Sequence, residues 1–338
     1  MSIDERRPLL ESSDEGQDGH DLDPNSDPDN PRLWPATYKW AVIALLASMG
    51  FVVTFTCTSV VPLANHIIRD LDKDNSSKSA SVLLVTIWEL GEAAGPLFLA
   101  PLSEVFGRYP VVNTANVLFI SATILAALCQ SASVFISARA LTGLAVAANV
   151  LNPAIVGDLM VPDQRGFAMS VVMMAPLLGG AAGPIIGSVV AGSLGWRQVI
   201  WTSVALAGIC EVMFLTCFRE TCHMVILRRK AKKLQREFAN ASPTAALPTC
   251  ENNEGLNSIW ESALRPVAIL SGSGVLMILC LFSGVAFAFA YVLCVTLPDI
   301  LEAVYRQPLA VQGPAFLSYT VGLGFSVILC NRLSSDCL

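Results

Sequence analysis

The sequence predicts an all-α polytopic membrane protein, and three observations carry that prediction. Hydrophobic residues make up 54% of the 338 and charged residues 14%, against roughly 25% charged in a soluble domain. Mean hydropathy is +0.58. The apolar residues gather into eight segments, at approximately 40–65, 80–103, 109–130, 134–157, 167–192, 196–218, 267–293 and 311–331. Each is near the roughly 20 residues that cross a 30 Å hydrocarbon core.

Taken in order, residues 1–38 are polar, acidic and rich in Asp, Pro and Ser, a composition that cannot bury enough apolar surface to fold. Met1 to Asp29 has no apolar core and so does not read as a signal peptide. Residues 39–218 hold six spans, which form one unit. The links between spans 3 and 4 and between spans 5 and 6 are a few residues long, which makes each pair antiparallel neighbours. The stretch 219–266 is the one long internal connection, and 267–338 holds two further spans. Lysine and arginine set the orientation. With the N-terminus in the cytoplasm, fifteen of the 21 lie inside and only Arg69, Lys73, Lys78, Arg197 and Arg306 outside, with Arg139 within a span. The expectation is an integral multi-pass protein with its N-terminus and its long loop cytoplasmic. The run Arg228–Arg236 is then a cytoplasmic face beside anionic headgroups.

Several function classes fall away. The net charge of −6 gives no footing for nucleic acid. The ten cysteines are scattered, with no C-x-x-C pair, and read as small hydrophobes rather than as a disulfide framework or metal site. The three histidines, His20, His66 and His223, have no metal spacing, and no loop carries a nucleophile and base together. Neither an enzyme, a metal nor a cofactor is expected.

Span 5 carries Gly179, Gly183, Pro184 and Gly187 within an uncharged run. Glycines four apart form one smooth stripe, which lets a membrane helix press its backbone against a partner. That suits a helix that slides or bends. Charges inside apolar spans are functional candidates by default. Arg139 begins about five residues into span 4, with snorkelling to the outer surface as the alternative. Glu89 and Glu92 lie three apart on one face of span 2. Glu92 is about 18 Å deep at 1.5 Å per residue, near the midplane where transporters place substrates. Glu211 is comparably deep in span 6. A carboxyl at such a depth can load and release a proton, or stay protonated and simply stiffen helix packing. Phe51, Thr54, Phe55, Asn149, Asn152, Met173, Met174, Phe287 and Tyr291 line a cavity or serve as packing. An adaptable lining of this kind suits a promiscuous binder.

Several motifs resemble those of the major facilitator superfamily, in the form found in fungal multidrug:proton antiporters. Gly95-Pro96-Leu97 through Pro101-Leu102-Ser103-Glu104 to Phe106-Gly107-Arg108 is similar to the family's loop signature. Arg139-Ala-Leu141-Thr-Gly143-Leu-Ala145 resembles the second motif, and Gly179-x-x-x-Gly183-Pro184-x-x-Gly187 the third, the antiporter motif. Asp158 with Arg165-Gly166, Gly195-Trp196-Arg197, Arg219-Glu220-Thr221 and Leu264-Arg265-Pro266 fit as well.

The resemblance implies a major facilitator fold, with a complete six-helix N-terminal half and the first two helices of the C-terminal half. It implies Arg139 in proton coupling, and a loop latch in which Arg108 meets Asp158, with Glu104, Gly107 and Arg165 around it. Tyr109 departs from the loop pattern, where a basic residue is usual, and Ser188 replaces the last glycine of the span-5 motif. The family has twelve or fourteen spans, so an eight-span chain is expected to be truncated and to transport nothing alone. The function expected is proton-coupled export of small amphipathic molecules or drugs across a plasma or vacuolar membrane, the partners being the small-molecule substrate, protons and the lipid bilayer. A uniporter or nutrient permease of the same fold, or a non-transporting sensor or scaffold, stays open. Glu5-Arg-Arg-Pro-Leu9-Leu10 matches an acidic dileucine pattern that favours a vacuolar or endosomal destination over the plasma membrane.

Overall fold

The computed structural model describes residues 30–72, 78–146, 148–231, 268–308, 312–318, 321–322 and 325. The acidic tail to residue 29, most of the 219–266 connection and most of span 8 lie outside the described residues. Among the described residues there is no strand. The helices are α1 (Ala36–Thr58), α2 (Ala64–Leu71), α3 (Lys78–Phe106), α4 (Arg108–Leu128), α5 (Ala132–Leu144) and α6 (Ala148–Leu159). They continue with α7 (Pro162–Leu194), α8 (Trp196–Cys217), α9 (223–231), α10 (268–272), α11 (Gly274–Ala303) and α12 (312–318).

Six of these elements are long and apolar enough to cross a membrane. Their outward faces carry large apolar side chains such as Leu90, Phe98, Leu128, Ile209 and Phe282, which only lipid or another apolar partner can cover. The chain passes up and down between two ends. The near end holds the α3–α4, α6–α7 and α8–α9 connections; the far end holds α2 and the α4–α5 and α7–α8 connections.

Two of the tight turns are single glycines with positive φ. Gly107 (φ 106°) ends α3 and starts α4, and Gly195 (φ 91°) does the same between α7 and α8. At Gly107 a side chain would in addition collide with the Glu220 carboxylate.

The expectation of one continuous span over 134–157 is corrected. The helix is broken into α5 and α6, with Ala145 capping α5 and Val146 outside either helix. Val146 N–H bonds to Gly143 O instead of continuing the ladder. The break lies where α3 presses on α5: a Cβ on Gly91 would stand 2.5 Å from Ala140 O and 2.8 Å from Leu144 N, and one on Gly143 would strike Trp88 O. Backbones approach that closely only where one of the facing residues is glycine.

The same device joins α1 to α7. A Cβ on Gly187 would stand 2.6 Å from Ser59 O, and side chains at Gly179 and Gly183 would strike Phe51 O and the Thr58 hydroxyl. The bundle is thus built on two glycine-lined pairs, α1 with α7 and α3 with α5, while α4 and α8 close the remaining side. Two apolar clusters fill it. One toward the near end includes Leu46, Met49, Trp88, Phe119 and Phe214. The other, at the far end, includes Ile67, Leu84, Phe135, Trp196 and, from α12, Phe316. On α12, Gly313 sits so close to Ser188 and Pro184 O of α7 that no side chain fits there.

Candidate functional site

At the near end, Gly107 precedes α4 and has no side chain to cap it. Four N–H groups at a helix start need partners from elsewhere. Glu220 supplies them from 112 residues away. It accepts from Arg108 N at 2.8 Å and Tyr109 N at 3.3 Å, and also from Cys222 N at 3.0 Å. A carboxylate at a helix N-terminus is further favoured by the macrodipole. The turn is thereby tied to the chain leaving α8. The buried Arg108 side chain points the other way, toward Asp158 of α6 at 3.4 Å, and donates to the Ser103 hydroxyl.

The other expected members of this cluster lie elsewhere. Glu104 is exposed, one residue out of step with the buried Ser103. Arg165 donates to Gly157 O at 2.9 Å, which braces the α6–α7 corner and leaves Asp158 to Arg108. Glu220, absent from the expected latch, is the residue that holds the turn. Its position in Arg219-Glu220-Thr221 was the only signal available, since its partners are distant in sequence.

At mid-depth, Arg139 is 3% exposed, which corrects the snorkelling alternative. The last four carbonyls of a helix lack partners within it, and Arg139 uses two from the end of α1. It donates to Thr56 O at 3.3 Å and Cys57 O at 3.2 Å. The guanidinium carbon stands 4.2 Å from the centroid of the Trp88 ring, a favourable cation–π position. Its Nε has no hydrogen-bond partner. The positive charge is therefore held by dipoles and an aromatic face.

Around it, Glu92 accepts from the Trp88 indole at 2.9 Å, and the Cys57 thiol lies 3.7 Å from Glu89. Trp88 and Glu92 are one turn apart on α3, a spacing that was visible in the sequence. Tyr291 of α11 approaches this group, its hydroxyl donating to Val85 O at 3.5 Å. Glu211 stands apart. It is buried between α8 and α4 and accepts from Asn116 at 2.8 Å, its other oxygen having no hydrogen-bond partner.

A bundle of apolar, glycine-paired helices with an inward arginine and carboxyls points to a transport fold. A family model for the Major Facilitator Superfamily matches residues 43–336. The chain belongs to the major facilitator superfamily. Among its relatives in the superfamily, "Efflux pump radE" of Floropilus chiversii is 31% identical over 316 residues, 93% of this chain and 58% of that protein. "MFS-type transporter penM" of Penicillium rubens is 28% identical over 337 residues, 97% of this chain and 66% of that protein. The chain thus spans about three-fifths of the length of the curated relatives it matches. Among solved major facilitator structures, a bacterial homologue of the human lysosomal transporter Spinster, inward-facing and unoccupied, aligns with a TM-score of 0.68 at 15% identity. It covers 90% of this chain and 64% of that one. The xylose transporter XylE from E. coli aligns with a TM-score of 0.63 at 16% identity, over 89% of this chain and 72% of that one. At these identities the likeness is of fold alone.

The candidate cavity residues divide. Phe55 is 1% exposed and packs within the bundle, and Asn152 is buried with its amide donating to Leu46 O at 3.4 Å. Phe51 and Thr54 are half-buried, Phe51 stacking on Phe55. Met173, Met174 and Phe287 are exposed, and Phe287 stacks on the half-buried Tyr291. The side chain of Asn149 lies outside the described residues.

Proposed function

We propose that the protein is a proton-coupled exporter of small amphipathic or cationic molecules, working by alternating access between its two halves. The observation that carries this is Arg139, buried against the Trp88 ring and the end of α1, with Glu89 and Glu92 on the neighbouring face of α3. A charge so placed is costly. A proton and a substrate cation compete for the neighbouring acids. Proton and substrate then exclude each other, which is the elementary condition for exchange. The printed name of the radE relative supports the direction of transport.

In this reading residues 39–218 form one half, 219–266 link it to the second along the cytoplasmic surface, and the helices from 267 onward belong to that second half. The near end is cytoplasmic, where Arg108 and Asp158 latch one state. The destination is the plasma or vacuolar membrane.

The test is flux of a fluorescent amphipathic cation in vesicles holding the full-length protein, with and without an imposed pH gradient. Arg139→Ala and Glu92→Gln are expected to abolish gradient-driven flux, a larger loss than either causes in binding of the cation. Unchanged proton-driven flux in both variants would sink the assignment.

A further inference from the structure

At the near end, the start of α1 and the exit of α8 are tied together. Asn30 caps the short turn Pro31–Leu33 by accepting from Arg32 N at 3.1 Å, and Pro31 is buried. Trp34 packs against the near-end cluster and meets Tyr38 edge to face at 5.2 Å. Tyr38 donates its hydroxyl to Cys217 O at 2.7 Å, and the Arg219 guanidinium carbon lies 5.7 Å from the centre of its ring. The point where the acidic tail joins the fold is therefore fixed beside the segment that leads into α9.

Val225 seats α9 and is buried, whereas Arg228 and Arg229, three and four residues on, are exposed. Residues at those steps share one helix face. The two arginines thus lie on the side of α9 that Val225 turns to the bundle, not on the side turned away from it. The charges of the two segments are complementary. From Glu11 to Asp29 the sequence has eight acids and no lysine or arginine, and from Arg228 to Arg236 it has six basic residues and no acid. A random coil of about 19 residues spans about 25 Å, and α9 is about 13 Å long at 1.5 Å per residue. The tail is long enough to reach every charge on the helix.

We propose that the acidic stretch 11–29 docks on the face of α9 that carries Arg228 and Arg229, and is the counter-charge of the connection that begins there. The partner of the basic run is then this chain's own tail and not the anionic headgroups its composition alone suggests. Each exposed pair contributes little and is screened by salt. The tether holds the two segments at a millimolar effective concentration, which lets several pairs act together. The chain leaving α8 is thereby fastened to the start of α1.

The test is zero-length carbodiimide cross-linking of the full chain in nanodiscs of pure phosphatidylcholine, which offer no anionic headgroup. Joined peptides are identified by mass spectrometry. Lys230, half-buried on α9, reports docking. Lys39, which donates to Arg32 O at the root of the tail, reports proximity alone. Cross-links from residues 11–29 to Lys230 are expected to outnumber those to Lys39. Arg228→Glu combined with Arg229→Glu should lower that ratio about tenfold, for two exposed pairs lost and reversed. Raising the salt around the parent from about 0.02 M to about 0.5 M should lower it likewise, and this arm needs no variant. A ratio that either change leaves unmoved overturns the proposal. So does a Lys230 joined chiefly to Glu104 or Asp163, which are exposed at the same end. Phosphatidylserine at about 30% is expected to leave the ratio in place. Its collapse to the value of the double variant would assign the face to lipid headgroups and overturn the docking of the tail.

Discussion

Glu220 illustrates how far a single carboxylate can reach. It satisfies two N–H groups at the start of α4 and one on its own strand of chain, so losing it uncaps a helix and frees the α8 exit at once. Glu220→Ala is expected to lower stability by about 1–2 kcal/mol, the usual range for a lost cap, seen as a lower melting temperature of the detergent-solubilised protein. Glu104→Ala, one exposed carboxylate away in space and outside the cluster, should leave the melting temperature where it was. Equal losses in the two variants would show that the turn does not depend on Glu220.

At the same scale, what the sequence revealed was the presence of charge and not its partners. Arg139, Glu89 and Glu92 stand out because hydrocarbon makes any charge conspicuous. The partners of Arg139 are backbone carbonyls, which are the same in every sequence and leave no mark. The role of Glu220 was equally hidden, because a contact across 112 residues has no local period.

At the scale of elements, hydropathy located the long helices well, since a span needs only length and apolar content. It joined α5 and α6 into one because Ala145 and Val146 are apolar and carry no Pro or charge to mark a stop. The glycine stripe on α7 was legible as a stripe, but its partner α1 was not. The matching contact of Gly91 and Gly143 between α3 and α5 escaped notice, as isolated glycines in an apolar helix look ordinary. Both contacts make the same prediction. Gly183→Leu and Gly143→Val insert side chains where backbone atoms touch, and overpacking of this kind costs about 1–3 kcal/mol. Each should reduce folded protein in membranes and its melting temperature, whereas Gly208→Leu, with open space around it, should not. Normal expression and stability of the first two would refute close packing as the purpose of the stripe.

For the molecule as a whole, the orientation can be tested without any substrate. With the near end cytoplasmic, Asp163→Cys, exposed at the start of α7, should react with an impermeant maleimide only after cells are permeabilised. Tyr305→Cys, exposed beyond α11, should react in intact cells. The reverse pattern would invert the topology and with it the cytoplasmic placement of the Arg108–Asp158 latch.

The seat of Gly313 against Pro184 O and Ser188 bears on how freely such proteins can be recombined. Helix α7 offers a backbone carbonyl and a serine hydroxyl at that point, and the carbonyl cannot retreat without moving α7 itself. A second half taken from a relative can therefore be grafted here only if it brings glycine to the same place; alanine there is already too large. Chimeras made at the 219–266 connection should sort by that one residue, whatever the similarity of the rest. On the two-half reading proposed above, the halves are then not interchangeable parts, and a fit of two or three atoms decides which ones can be exchanged.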